Sequence, residues 1–189
     1  MTLEIIISIC LGIGLSASVG FRVFFPLFVL SLASYFDVLQ LNDAWIWLST
    51  TSALLTLGVA SMVEVFSFFV PYIDNLLDSI AVPLAALAGT VIMLSTVIDL
   101  SPVITWSLAI IAGGGTAAAV AGTSGATRLT STVTTGGMGN PIVSILETIT
   151  SIVLSVISIF LPILAGILAL FILFIIYKLY TKFKTPSVK

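Results

Sequence analysis

The chain has 189 residues, 59% of them hydrophobic and only 7% charged, with a mean hydropathy of +1.30 and a formal net charge of −2. An ordinary soluble domain is about 25% charged, so the composition excludes a water-soluble globular fold, and apolarity spread along the whole chain excludes a soluble domain on a single anchor. The absence of histidine removes Ser-His-Asp and Cys-His catalysis and the usual zinc and haem ligation, and with Cys10 as the only cysteine no intrachain disulfide can form, so no enzyme, metal or cofactor is expected.

A membrane helix rises 1.5 Å per residue and needs about 20 apolar residues to cross a core of about 30 Å. Residues 3–35 are too long for one span, since an unbroken helix of that length extends about 50 Å. Gly12, Gly14 and Gly20 are its breakers, which leaves a tight helical hairpin, a re-entrant element or a kinked helix. Glu4 stands where a signal peptide would be basic, so residues 1–20 read as part of the first span. Arg22 follows the break at Gly20 and precedes Pro26, near the start of a helix or half-helix. Residues 45–70, 79–98 and 102–123 each fit one span. Polar marks separate them at Asn42-Asp43, at 71–78 and from Asp99 to Pro102. Asp37 and Asp43 read as loop markers, and Asp74 and Asp78, four apart, as the solvated start of a helix.

The Gly/Thr/Ser-rich stretch 113–140 departs most from an ordinary span. Small residues at helical spacing, such as Ala118 and Gly122, let backbones approach closely, and Gly122 and Gly125 are expected at helix breaks or close packing. No lysine follows the glycine run and no strand precedes it, so it is no nucleotide loop. Residues 123–139 are too polar for lipid, which places them in an external loop, a cavity or a re-entrant dip, with hydroxyls available to an ion path. Asn140 and Pro141 read as an N-cap followed by the first helical position. Residues 142–177 again exceed one span and carry Pro162 and Gly166 as breakers.

Lys178, Lys182, Lys184 and Lys189 follow the last apolar run, which reads as a positive-inside anchor and not as a nucleic-acid stripe. The expected organisation is one transmembrane domain, 1–177, with a basic cytoplasmic tail, 178–189. The fold class is all-α: a polytopic transmembrane helix bundle of about five to seven segments, some broken or re-entrant.

Four ionisable residues stand out as candidates, Arg22, Glu64 and Glu147 within apolar segments and Arg128 within the Gly/Thr/Ser-rich stretch. Such groups are costly in a membrane and face a protein interior or a wet cavity. Two readings stand side by side. Arginine–glutamate pairs can fix helix register, or the same groups can form a substrate or ion site, arginine holding an anion or phosphate headgroup and glutamate a proton or cation.

At Gly20-Phe21-Arg22-Val23-Phe24-Phe25-Pro26, and again from Ala121 through Arg128 to Asn140-Pro141-Ile142-Val143-Ser144-Ile145-Leu146-Glu147, the chain resembles the domain-of-unknown-function family four-one-two-six, over about residues 11–170. The resemblance implies a small multi-pass protein of the bacterial inner membrane. A shorter similarity links Arg22 to Leu27 with the Arg-x-x-x-Pro elements of DedA-like and small multidrug-exporter-like proteins, although the paired acidic motifs of the DedA-like proteins are absent. It implies re-entrant helices and movement of lipid or small solutes. The leading expectation is a small transporter or channel for an ion, small solute or lipid. The alternative is a non-catalytic scaffold or accessory subunit. Membrane lipids, a second copy or a partner membrane protein are the expected partners, and nucleic acid is not.

Overall fold

A computed structural model describes residues 3–67, 71–98 and 100–184, and among these every regular element is a helix and no strand occurs. That is what lipid demands, because a helix satisfies its own backbone polar groups. The apolar run Leu3–Val19 forms α1, with Glu4 in its first turn, where a carboxylate suits the helix dipole. The chain turns through Gly20 and Phe21, with the Arg22 N–H donating to the Ser18 carbonyl at 3.2 Å, and enters α2 (Phe24–Tyr35). A 3-10 helix, Asp43–Ser49, is capped by the Asn42 side chain and leads at a bend of 65° into α3 (Thr51–Ser67). Next comes α4 (Pro71–Thr96). Then α5 (Pro102–Leu108), a π-helical turn (Ala109–Gly114) and α6 (Gly115–Thr135) run on as one rod of 34 residues. Gly136 and Gly137, at φ 64° and 88°, take the left-handed conformation that ends α6. The chain closes with α7 (Asn140–Phe160) and α8 (Pro162–Lys184).

Among the described residues, four helices are long and apolar enough to cross a membrane: Ser79–Thr96, Pro102–Thr135, Asn140–Phe160 and Pro162–Lys182. The bent pair, Asp43–Ser49 with Thr51–Ser67, makes a fifth, and Leu3–Val19 and Phe24–Tyr35 are shorter apolar helices. The protein is an integral, multi-pass membrane protein.

Residues 3–35 resolve into a helical hairpin. Helix α1 runs antiparallel to α7: Gly14 faces Ser158, Ser18 and Ser151 exchange hydroxyl-to-carbonyl bonds of 3.0 and 3.1 Å, and Arg22 reaches Ser144. Helix α2 then doubles back along α3. Its start is bonded to Glu64, Phe28 packs on Gly58, and Ser31 and Ser34 near its end meet Leu48 and Ser49. The following loop returns to the far end of the bundle, where the Asn42 N–H donates to the Ser95 carbonyl at 2.9 Å. With 12 residues α2 spans about 18 Å, well short of a core of about 30 Å. The hairpin tip lies level with Ser144–Glu147, about 10 Å inside the start of α7.

Several expectations are corrected. Gly12, Gly14 and Gly166 break nothing. A Cβ at Gly12 would stand 2.5 Å from Met93 Sδ, one at Gly14 2.5 Å from Ser158 Oγ, and one at Gly166 3.0 Å from Cys10 Sγ, so these are points where helices touch. The break in 142–177 falls at Leu161, just before Pro162, which cannot donate to the preceding turn. Of the expected span 45–70, the part to Ser67 belongs to the bent pair, and 68–70 lie outside the described residues. Residues 71–78 are not a connection but the first two turns of α4, and the side chains of Asp74 and Asp78, like all of Asp99, lie outside the described residues. The polar stretch 123–139 is helix as far as Thr135, because its threonines satisfy their own hydroxyls. Thr123, Thr127, Thr130, Thr132, Thr134 and Thr135 each donate to a carbonyl four residues back, at 2.7–3.0 Å. Their oxygens keep acceptor lone pairs, and Thr123, Thr127 and Thr130 stand in cavity walls.

Candidate functional site

The hairpin tip brings the four intramembrane charges together from four places in the chain. Arg22 occupies the non-helical step between α1 and α2 and is 1% exposed. Its Nε donates to Thr148 Oγ1 at 2.8 Å, and its Nη2 donates to the Ser144 carbonyl at 2.7 Å and hydroxyl at 2.6 Å. The same Nη2 lies 3.8 Å from Glu147 Oε2. Glu147, two turns into α7, also pairs with Arg128 of α6, whose Nε lies 3.3 and 3.1 Å from its two oxygens and whose Nη2 bonds it as well. Ser124, one turn before Arg128 on the same helix, donates its hydroxyl to Glu147. One carboxylate thus joins both arginines, and all three groups are buried.

Glu64 is held differently. From the last turns of α3 it reaches the start of α2, where Oε1 accepts the Val23 N–H at 2.6 Å and Oε2 the Phe24 N–H at 2.9 Å. The first N–H groups of a helix have no partner within it, and a carboxylate answers both their hydrogen bonding and the helix dipole. Glu64 therefore supplies from another helix the cap that α2 lacks locally.

Two cavities meet at this cluster. The first, about 450 Å³, lies between the hairpin tip, α3, α4 and α6, and its wall is mainly apolar, with Glu64, Ser124 and Arg128 as its polar corner. The second, about 390 Å³, lies between α6, α7 and α8 and has Glu147 and Ser124 in its wall. Phe21 and Ser124 border both. The Arg128–Glu147 pair is thus part of a septum, with one partner facing each cavity.

The remaining singled-out residues fall as follows. Gly20 lies in the tip, where a Cβ would meet Val120 and stand 2.8 Å from the Ala117 carbonyl, so the tip needs a glycine against α6. Pro26 is buried in the first turn of α2, where its missing N–H is not needed. Gly122 and Gly125 correct the expectation of breaks or close packing. Both are inside α6, a Cβ at Gly122 would meet only Val82 at 4.0 Å, and one at Gly125 would meet nothing within 4 Å. The close helix contact uses Gly113 and Gly89 instead, with a Gly113 Cβ 2.5 Å from the Gly89 carbonyl. Asn140 is not a cap. It is the first residue of α7 and donates its side-chain amide to Thr132 at 2.9 Å, with Gly139 in the capping position before it and Pro141 in the first turn. No cluster of three or more metal-ligating side chains occurs among the described residues.

The serines of α7 were not among the expected site residues. Ser144, Ser151, Ser155 and Ser158 of α7 are all buried, with Thr148 beside them, and together with Ser18 they form a polar seam between α7 and α1 that ends on Arg22. The signal was present, because Ser144, Glu147, Ser151, Ser155 and Ser158 recur every three or four residues and share one helix face.

A family model described as Domain of unknown function (DUF4126) matches residues 9–182. No curated protein matches the chain, and no solved structure does.

Proposed function

We propose, for a chain that belongs to the DUF4126 family, that it is a small membrane transporter in which an amphiphilic solute passes between two cavities when the septum at the hairpin tip opens. The observation that carries the reading is the placing of Arg128 and Glu147 on opposite cavities while bonded to each other. Parting that pair, together with the Ser124 bond to Glu147 and the Phe21 side chain that also border both sides, would join two spaces of about 450 and 390 Å³, each within the range of sites that hold small organic molecules. A discontinuity in a helical hairpin, with buried charge at the break, suits a binding site inside a membrane. No bond-making chemistry is part of the proposal.

The protein is proposed to reside in the bacterial inner membrane with the α8 end in the cytoplasm. Lys178 and Lys182 lie at that end, while Glu4, Asp37 and Asp43 lie at the opposite one. A scaffold role has one observation in its favour. The α6 face carrying Ala118, Gly122 and Ala126 borders an open groove beside Tyr177 and Tyr180, a shape that suits a partner helix.

Flux of an organic cation, an organic anion and a fluorescent phospholipid across proteoliposomes tests the transport reading. Gly125→Trp is the blocking variant, because Gly125 borders the first cavity with free space around it. Flux of one probe above that of empty vesicles, abolished by Gly125→Trp in a protein that still elutes as a single species, is expected. No flux of any probe, or flux unaffected by Gly125→Trp, overturns the reading.

A further inference from the structure

We infer that the first cavity is a binding site for amphiphilic organic cations, with Glu64 as the group that recognises the charge. The inference rests on the transport reading for its purpose but not for its test. Three observations converge on it. The cavity of about 450 Å³ matches a drug-sized molecule, and Val19, Val59, Val63, Leu84 and Ala85 give it an apolar wall. The aromatic side chains of Phe21 and Phe24 stand in that same wall, and a ring face attracts a cation. Glu64 also borders the space, with its carboxylate held by the Val23 and Phe24 N–H groups. Backbone N–H groups orient a carboxylate and lower the cost of burying it, and a cation in the cavity would add a counter-charge. An ionised carboxyl group has about four acceptor positions, so a bound cation need not displace either N–H.

The two acids of the cluster are therefore unlike. Glu147 is surrounded by Arg128, Ser124 and the more distant Arg22, and its acceptors are turned to these donors. Glu64 is tied to backbone and faces an apolar space, a setting in which a lipophilic cation gains both a counter-charge and burial. Charged groups around it come from the hairpin tip, which brings Arg22, and from α6, which brings Arg128. These arginines make an anion the natural rival occupant, and the test is built to separate the two. Val59 and Val63 are 61% and 58% exposed, so α3 presents part of the cavity wall outward, and a ligand can enter from the lipid.

Tetraphenylphosphonium and tetraphenylborate have nearly the same size and apolar surface and opposite charge. Binding of each to the purified full-length protein in detergent, measured by isothermal titration calorimetry, gives the sign preference of the site directly. Saturable binding of tetraphenylphosphonium, at least about tenfold tighter than tetraphenylborate, is expected. Glu64→Gln, which keeps the shape and one accepting oxygen, is expected to weaken the cation about tenfold or more and leave tetraphenylborate unchanged or tighter. Gly125→Trp is expected to weaken both ions by filling the space. Equal binding of the two ions, tighter binding of the borate, or cation binding unaltered in a folded Glu64→Gln protein overturns the inference. Should Glu64→Gln not fold, the wild-type sign preference together with Gly125→Trp decides the matter by the same criteria. Cation binding without flux in proteoliposomes would remove the transport reading and leave the cation site standing, whereas flux of another probe without cation binding would do the reverse.

Discussion

Replacing Glu147 by glutamine should destabilise the protein severely. The glutamate accepts from Ser124 and from Nε and Nη2 of Arg128, and it lies 3.8 Å from Arg22, with all of these groups buried. Glutamine preserves the volume but removes the negative charge shared by two guanidinium groups, and its NH2 presents a donor to donors. Removing one member of a buried ion pair costs about 3–5 kcal/mol, a large part of the roughly 5–15 kcal/mol that holds a folded chain together. For a protein of this length the loss corresponds to a fall in melting temperature of about 6–20 °C. Thermal unfolding of purified protein in detergent, followed by tryptophan fluorescence, is the assay. The double replacement Arg128→Met with Glu147→Met should recover part of the loss, since it leaves only Arg22 without this carboxylate, where Glu147→Gln deprives both arginines of it. A fall of less than about 4 °C for Glu147→Gln, corresponding to about 1 kcal/mol, would refute the view that this carboxylate holds the two arginines in place.

Gly113→Ala should lower stability by about 1–3 kcal/mol, because the new Cβ would stand 2.5 Å from the Gly89 carbonyl and 2.8 Å from Met93 Cβ. Gly115→Ala, with nothing within 4 Å of the added carbon, should be neutral or stabilising by up to about 1 kcal/mol. Melting curves of the pair check the contact, and equal effects would contradict it. Ser18→Ala removes a donor to the Ser151 carbonyl and an acceptor for Ser155, and should cost about 1–3 kcal/mol in the same assay. In a background with Cys10→Ser, a membrane-impermeant maleimide should label Asp37→Cys in intact cells and Lys182→Cys only after the membrane is opened. Labelling of both in intact cells would overturn the assigned orientation.

Membrane residence was legible from composition alone, and the breaks at Gly20 and Pro162 were legible from residue type and segment length. Arg22, Glu64 and Glu147 were legible because an arginine or glutamate inside an apolar run is rare enough to stand out, and Arg128 because it is the only charge in the Gly/Thr/Ser-rich stretch. Their pairing was not. Arg22 and Glu147 are 125 positions apart, and only the doubling back of α2 at a particular depth sets Arg22 beside α7. The helical state of 123–135 was hidden for another reason. A run of threonines reads as polar when each hydroxyl is counted as free, but bonding four residues back satisfies the donors within the helix itself and leaves only acceptor oxygens toward the surroundings. The roles of the glycines were legible only in kind. Gly113 and Gly122 look alike in the sequence, yet one meets a neighbouring backbone and the other open space, a distinction set by which face of the rod turns to α4.

Helix α7 explains how a tip so poorly suited to lipid can be held there. Its outward face carries Ile142, Ile145, Leu146, Ile149 and Val153, and its buried face carries serines and Glu147, the reverse of an amphipathic helix in water. Lipid gives apolar side chains no reason to leave it, so helices associate there through close packing and polar contacts. Along α7 the tip has the Ser18–Ser151 exchange, the Ser155 bond, and the contacts of Arg22 to Ser144, Thr148 and Glu147. Toward α3 its polar attachment is the Glu64 carboxylate on the Val23 and Phe24 N–H groups. Opening of the first cavity toward the lipid would break this weaker side, the tip staying with α1 and α7 while α3 draws away, a step separate from breaking the Arg128–Glu147 pair between the cavities. The first cavity lies where that parting would occur, with Glu64 in its wall. A cation that attracts Glu64 would thus bias the same contact that holds α3 against the tip, which couples occupancy of the cavity to the attachment of the hairpin.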